Sequence, residues 1–330
     1  MMTPFEPYAF AMVQPFSSLV TSQAWRHDVE AWVHDRVEES GRRLSGPLDQ
    51  VRVRPWSTQL TVPTDHGRLW FKANTPSMGF EPALHQLLAT LSPDDVAAPV
   101  AIDPVRGWML TADRGPTLGE VRNPTTDDWV RLIQHAAALQ RRVADRRDEL
   151  VGLGVHDCSP PRVPERFDSL VEQLSNLPAG HPSRLRPDDL AALEDRRADL
   201  VEAAVVLERS PVPSSLQHGD VHPDNAFADL KVFDFGDVQW AHAVEVLRVP
   251  FGIISQDDTV EWGPVRDAYF EVWGDVADRR TMAALFEATA FTQAVNRCLV
   301  WVDTLQLADA DEIAEWGVAP RHQLMRVVDA

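Results

Sequence analysis

His218-Gly219-Asp220-Val221-His222-Pro223-Asp224-Asn225, followed nine residues after Asn225 by Asp234-Phe235-Gly236-Asp237, is the part of the 330-residue chain that decides its fold. Between the two polar clusters lie Ala226-Phe227-Ala228 and Lys231-Val232-Phe233, apolar enough to form a tight hairpin that sets the clusters side by side at one end. Convergent Asp, Asn and Asp side chains are hard oxygen donors. They suit Mg²⁺, which keeps waters and substrate phosphates in its shell. A further Asp that is not a ligand is free to accept a hydroxyl proton.

Upstream, Val51 to Arg54 and Gln59 to Val62 alternate as strands, and Arg68 to Ala73 follows an Asp65-His66-Gly67 turn. Leu84, Leu87, Leu88 and Leu91 restore a helical period over 80–91, and two short strands follow at 100–102 and 108–111. Ahead of the strands, Trp25, Val29, Trp32, Val33 and Val37 mark a leading helix. Past Gly115-Pro116 the chain turns helical. It reads as one long helix over 127–148, two pieces over 160–213 and nearly unbroken helix beyond Val244. This predicts an α+β, two-lobed molecule. Residues 1–112 form a lobe of leading helix and five-stranded antiparallel sheet with one inserted helix, and 113–330 form a larger helical lobe.

Composition narrows the partners. A net charge of −19 repels phosphate backbones and anionic lipid, so nucleic acid and membrane surfaces are poor partners. No apolar run approaches the roughly 18 residues needed to span a bilayer. Met1 to Phe16 lacks the pattern of a secretion signal, and two cysteines, Cys158 and Cys298, make no disulfide framework, so the expected compartment is the cytoplasm. Among 31 basic residues only Lys72 and Lys231 are lysines.

Asp220-x-x-x-x-Asn225 has the spacing of the kinase catalytic loop, and Asp234-Phe-Gly that of the metal-binding motif after it. The full string resembles the aminoglycoside phosphotransferase family of small-molecule kinases. That resemblance implies a bilobal protein-kinase-like fold and transfer of a nucleotide γ-phosphate, from ATP or GTP, to a hydroxyl of a small molecule such as a sugar, amino sugar or aminoglycoside. It assigns Asp220 as the base and Asn225 and Asp234 as Mg²⁺ ligands. Lys72 matches the lysine that grips the phosphates, with Glu81 as its ion-pair partner. Gly107 to Asp113, including Thr111, matches the strand and linker that meet the adenine. Protein kinases place an Arg before the catalytic Asp to receive an activation-loop phosphate; Gly219 stands there, and no Ala-Pro-Glu follows, so a phosphorylation-switched protein kinase is disfavoured. The chain departs from the pattern at Arg54-Pro55-Trp56-Ser57-Thr58-Gln59, where kinases carry a glycine-rich flap; the Ser57 and Thr58 hydroxyls are the expected substitutes.

The acceptor side is read from polarity. Thr289, Gln293, Asn296 and Arg297 form a polar stripe on an otherwise apolar helix, and His222 lies beside the base; these are the acceptor candidates. Two other readings compete. His218, Asp220 and His222 alternate like ligands of a metal-dependent hydrolase, and the missing glycines would suit a nucleotide-binding pseudokinase.

Overall fold

The computed structural model describes residues 14–330, so most of the Met1–Phe16 reading and the first part of the 1–112 lobe lie outside it. Five antiparallel strands make the N-lobe sheet: β1 Asp49–Val53, β2 Ser57–Thr64, β3 Gly67–Asn74, β4 Ala101–Asp103 and β5 Trp108–Ala112. Their order is β1-β2-β3-β5-β4. Helix Glu81–Leu91 is inserted between β3 and β4.

Strand alternation gives this sheet two unlike faces. Leu60, Val62, Leu69, Phe71, Trp108 and Leu110 point to one side, against Trp25, Val29, Val33 and Val37 of helix Gln23–Glu39. The i, i+4 spacing of those four residues is what makes one helical face apolar. Trp25, Trp32, Phe71 and Trp108 meet edge to face, with centroids between 5.6 and 6.2 Å apart. The opposite face carries Gln59 and Lys72, directly paired across β2 and β3, and looks toward the second lobe.

The C-lobe is helical, and its large core also takes in Phe80, Leu84 and Leu88 at the inserted N-lobe helix. The region expected as one helix over 127–148 is two, Thr126–Val143 and Arg147–Gly152. A small sheet absent from the sequence reading joins β6 His156–Asp157, β7 Ser214–Gln217 and β8 Gln239–His242 in the order β6-β8-β7. The expected hairpin over 226–233 is narrower than two strands: it holds one bridge, Ala226 to Val232, flanked by Phe227 N–H to Lys231 O (2.9 Å) and Phe233 N–H to Asn225 O (3.1 Å). Phe227 and Phe233 stack within it at 4.5 Å. The juxtaposition of the two polar clusters survives, because those bonds fix Asn225 beside Phe233.

The lobes are tied away from the hinge by Phe16 N–H to Leu307 O and by Ser77 Oγ donating to Asp303 O, each 3.0 Å. No helix among the described residues is long and apolar enough to cross a membrane.

One buried group gives the C-lobe a pH dependence. Glu245 is fully buried and accepts from Thr292 Oγ1 (2.6 Å) and Asn296 Nδ2 (3.0 Å), tying residues 243–247 to the long helix Arg279–Thr304. Burial pushes its carboxyl from the ordinary 4.5 up to about 7, against the opposing pull of those hydrogen bonds. A raised folded value means the stabilising protonated form is fully present below 4.5 and is lost as pH rises through about 7. Glu245→Gln is therefore expected to melt like the wild type at pH 5 and above it at pH 8, by up to roughly 3 kcal/mol. Parallel melting curves at both values would count against a neutral, buried Glu245.

Candidate active site

Lys72, on the cleft-facing side of β3, is the centre of the site. Its Nζ lies 2.8 Å from Glu81 Oε1, 2.6 Å from Glu81 Oε2 and 2.8 Å from Asp234 Oδ1. Glu81, at the first turn of its helix, is completely buried, and its carboxylate also accepts from Asn74 Nδ2 (2.8 Å) and from the Phe235 N–H (3.0 Å). It thus binds the N-lobe lysine and the backbone of the C-lobe Asp-Phe-Gly segment at once. Burial alone would lower the Lys72 ammonium, but the charges of Asp234 and Glu81 hold it above its ordinary value. Asp234 sits at φ 64°, the left-handed region that a non-glycine residue enters only when its surroundings hold it there. Burial would raise its carboxyl; Lys72 outweighs that, with Arg52 assisting, and holds it at about 2.

Asp220 follows Gly219 at the end of β7. Asn225 Nδ2 donates to its Oδ2 (3.0 Å) and its backbone O (2.9 Å). His222 Nε2 lies 3.2 Å from the same Oδ2, and Arg297 approaches Oδ1 at 3.9 Å. Against the effect of burial, His222 and Arg297 keep the carboxyl below its ordinary value, so it is ionised at neutral pH. The same contact holds His222 above its ordinary value, although burial opposes it.

Gly219 is required by its neighbours as well as by its backbone. At φ +83°, a Cβ there would stand 2.4 Å from the Asp237 carbonyl oxygen and 2.8 Å from Asp237 Cβ. The 218–225 loop and the Asp-Phe-Gly-Asp segment pack so closely that no side chain fits between them. Gly219→Ala is expected to cost at least about 1–2 kcal/mol from the backbone conformation alone. It should also lower activity by separating Asp220 from Asp234; full activity with an unchanged melting point would refute that packing.

A cavity of about 180 Å³ opens between the lobes at this point. Asp220, Asp234, Asp237, Lys72 and Arg297 form its polar wall. Trp56, from the β1–β2 turn, meets Trp301 and Trp316 of the C-lobe edge to face at 5.9 and 5.3 Å, and all three indoles line it. Sequence reasoning missed these tryptophans. Its polar stripe meets the cavity only at Arg297: the cavity side of the long helix carries Arg297, Val300, Trp301 and Thr304, at i, i+3, i+4 and i+7. Of the acceptor candidates there, Arg297 lines the cavity and bonds Asp237. Asn296 instead holds Glu245, Thr289 accepts from Arg248 Nε (2.9 Å), and Gln293 is buried inside the lobe.

Other expected contacts also move. Ser57 is on the cleft face, but Thr58 is its strand neighbour and so points the opposite way. The Thr58 hydroxyl is spent between Arg52 O (2.7 Å) and Gln50 Nε2 (2.8 Å). The Asp113 side chain accepts from Arg68 Nε (2.7 Å) and Gly115 N–H, and its N–H bonds Arg68 O (3.1 Å), so Asp113 shapes the linker and offers nothing to a base. By alternation the backbone groups of Ala112 point off the other edge of β5. Thr111 Oγ1 reaches Trp70 O at 3.5 Å.

The hydrolase reading finds no ligand set. His218 Nε2 bonds the Phe233 carbonyl (3.0 Å) with its ring beside Phe235, and His222 Nδ1 accepts from the Asp224 N–H (3.2 Å). Among the described residues no three His, Cys, Asp or Glu side chains converge as metal ligands. The donors do fit Mg²⁺. Lys72 takes one oxygen of Asp234 and the Asn225 amide nitrogen is bound to Asp220, leaving a carboxylate oxygen and an amide oxygen uncommitted. One ammonium facing two carboxylates also leaves net negative charge for a cation to balance.

A family model described as a phosphotransferase enzyme family matches residues 62–285. No curated protein matches the sequence at a significant level. Among solved structures, the chain resembles a macrolide 2'-phosphotransferase type I (14% identity, TM-score 0.58, covering 92% of this chain and 98% of that one). A spectinomycin phosphotransferase solved with ADP and spectinomycin aligns at 10% identity and TM-score 0.58, over 91% and 97% of the two chains. An ethanolamine kinase of Plasmodium vivax aligns at 10% identity and TM-score 0.60, over 84% and 82%. These likenesses establish the bilobal, protein-kinase-like fold.

Proposed function

Because the chain belongs to the phosphotransferase enzyme family, we propose that it transfers the γ-phosphate of ATP or GTP to a hydroxyl of a small molecule, with Asp220 as general base. The observation that carries this is the convergence on one cavity of Lys72, Asp220 and Asp234, from three separate segments of the chain.

Asn225 and Asp234 would hold Mg²⁺, which when bound neutralises phosphate charge and orients the terminal phosphate. Lys72, kept charged and aimed by Glu81, takes the phosphate oxygens on the other side. Asp220, ionised and fixed by Asn225 and His222, orients the acceptor hydroxyl. Its carboxylate takes the proton as the acceptor oxygen bonds to phosphorus and the bond to the β-phosphate oxygen breaks. Little covalent help is needed, since phosphoryl transfer is catalysed mainly by positioning and charge. His222 and Arg297 both approach the base, and Arg297 faces the acceptor space. On this reading, residues 1–112 hold the nucleotide and 113–330 the catalytic loop and acceptor.

The acceptor we infer is a hydroxylated small molecule of the sugar or amino-sugar kind, whose ring face suits the indoles of Trp56, Trp301 and Trp316 while its polar edge meets Asp220, Asp237 and Arg297. The cysteines are both free and buried, and burial pushes the Cys158 thiol up to about 12, which leaves it no nucleophilic part in the transfer. The test is acceptor-dependent phosphate transfer from ATP and GTP across sugars, amino sugars, aminoglycosides, macrolides and small amino alcohols. A pseudokinase would bind nucleotide and transfer to none of them.

A further inference from the structure

The segment where kinases wrap phosphates with glycine amides is here a tight turn. Arg54 N–H donates to Ser57 O (2.9 Å), and Pro55 has no N–H at all. The Trp56 carbonyl accepts from Thr75 N–H (2.9 Å), and its ring is pinned to the C-lobe by Trp301 and Trp316. Two of the turn's four residues thus have no amide to give, and its tip is committed to another contact. A nucleotide entering this cleft must find its phosphate ligands elsewhere.

The register of β1 supplies one. Arg52 pairs with Gln59, and Gln59 with Lys72, so the three side chains share the cleft face of the sheet. Arg52 Nε is buried with no hydrogen-bond partner, and a terminal guanidinium nitrogen lies 3.4 Å from Ser57 Oγ. Among the described residues no carboxylate forms an ion pair with it within 4.0 Å, although most other arginines have one. Its charge nevertheless reaches Asp234, the residue at the phosphate end of the site. A buried donor without an acceptor is costly and is retained where a ligand completes it.

Resting on the phosphoryl-transfer reading above, we propose that Arg52, with Ser57 beside it, grips the β- and γ-phosphates of the nucleotide in place of a backbone flap. The chemistry fits. A guanidinium presents a planar fork that matches two phosphate oxygens, which a single backbone amide does not. It also places a second cation on the same face as Lys72, two strands away, so a polyanion entering among Glu81, Asp220, Asp234 and Asp237 meets two positive charges from the cleft face of the sheet. The glycines become dispensable because a side chain, reaching from a rigid strand, does what a flexible loop does by wrapping.

The experiment measures binding of ATP, ADP and AMP, with Mg²⁺, to the wild type, Arg52→Gln and Arg52→Lys, with melting curves to confirm folding. Arg52→Gln is expected to weaken ATP and ADP by about ten- to a hundredfold, the worth of a charged hydrogen bond, while AMP binding stays unchanged. Arg52→Lys should fall between, keeping charge without the fork. Equal losses for ATP and AMP, or no loss for either, would overturn the assignment. If the wild type binds no nucleotide, the phosphotransferase reading itself falls, a result separate from a wild type that binds and an Arg52→Gln that binds equally well.

Discussion

Asp220→Asn is expected to lower kcat by about two to four orders of magnitude while nucleotide affinity stays near the wild-type value. The replacement is nearly isosteric. Its amide oxygen can still accept from Asn225 Nδ2, the 3.0 Å contact that fixes the loop. What it loses is the ability to take a proton from the acceptor hydroxyl. The variant should therefore fold and bind nucleotide, and a melting curve with a binding isotherm separates lost chemistry from lost structure. His222 is a second reporter. Its ring is held above its ordinary value partly by the Asp220 carboxylate, so its titration, followed by NMR, should move down in Asp220→Asn. Turnover within about threefold of the wild type would remove Asp220 from the role of base.

Lys72→Met should damage stability and activity together. The ammonium lies between a completely buried Glu81 and Asp234, with its side chain only 12% exposed. Removing it leaves two carboxylates facing each other without a cation, and breaking a buried pair in this way costs about 3–5 kcal/mol. One carboxylate must take up a proton to relieve the repulsion, so the variant should lose most stability above neutral pH and least near pH 5. The double variant Lys72→Met/Glu81→Gln separates the two effects. It removes the repulsion and should recover much of the melting temperature, yet remain inactive, because no ammonium meets the phosphates. Recovery of activity in the double variant would mean that Lys72 serves only to neutralise Glu81.

The candidate constellation was legible because its residues follow local spacing. Asp220, Asn225 and Asp234 lie within fifteen residues, and a chain with two lysines draws attention to Lys72. The N-lobe sheet was legible for a similar reason, since its strands alternate and its turn at Asp65-His66-Gly67 is explicit. Two kinds of error followed from reading polarity as direction. Thr58 was expected beside Ser57, but adjacent residues on a strand face opposite ways, and of the two only Ser57 lies on the cleft-facing side of the sheet. Asn296 and Gln293 were expected to face the acceptor because polar residues on an apolar helix suggest a functional face. They face inward, and Asn296 does so because a buried glutamate needs donors. The side of that helix that lines the cavity is aromatic and aliphatic, and in sequence Trp301 is indistinguishable from core. The small sheet of β6, β7 and β8 escaped notice because its strands are two to four residues long and its β6 end, at His156, pairs with Gln239, far along the chain.

The most direct measurement is phosphorus NMR of ATP and Mg²⁺ incubated with pooled hydroxylated acceptors, run in parallel with wild-type protein and Asp220→Asn. A phosphomonoester signal that grows only with an acceptor present, disappears on chelating Mg²⁺, and is absent with Asp220→Asn is the predicted outcome. A phosphomonoester formed equally fast by Asp220→Asn, or a wild type that binds ATP yet phosphorylates nothing in any pool, would contradict it.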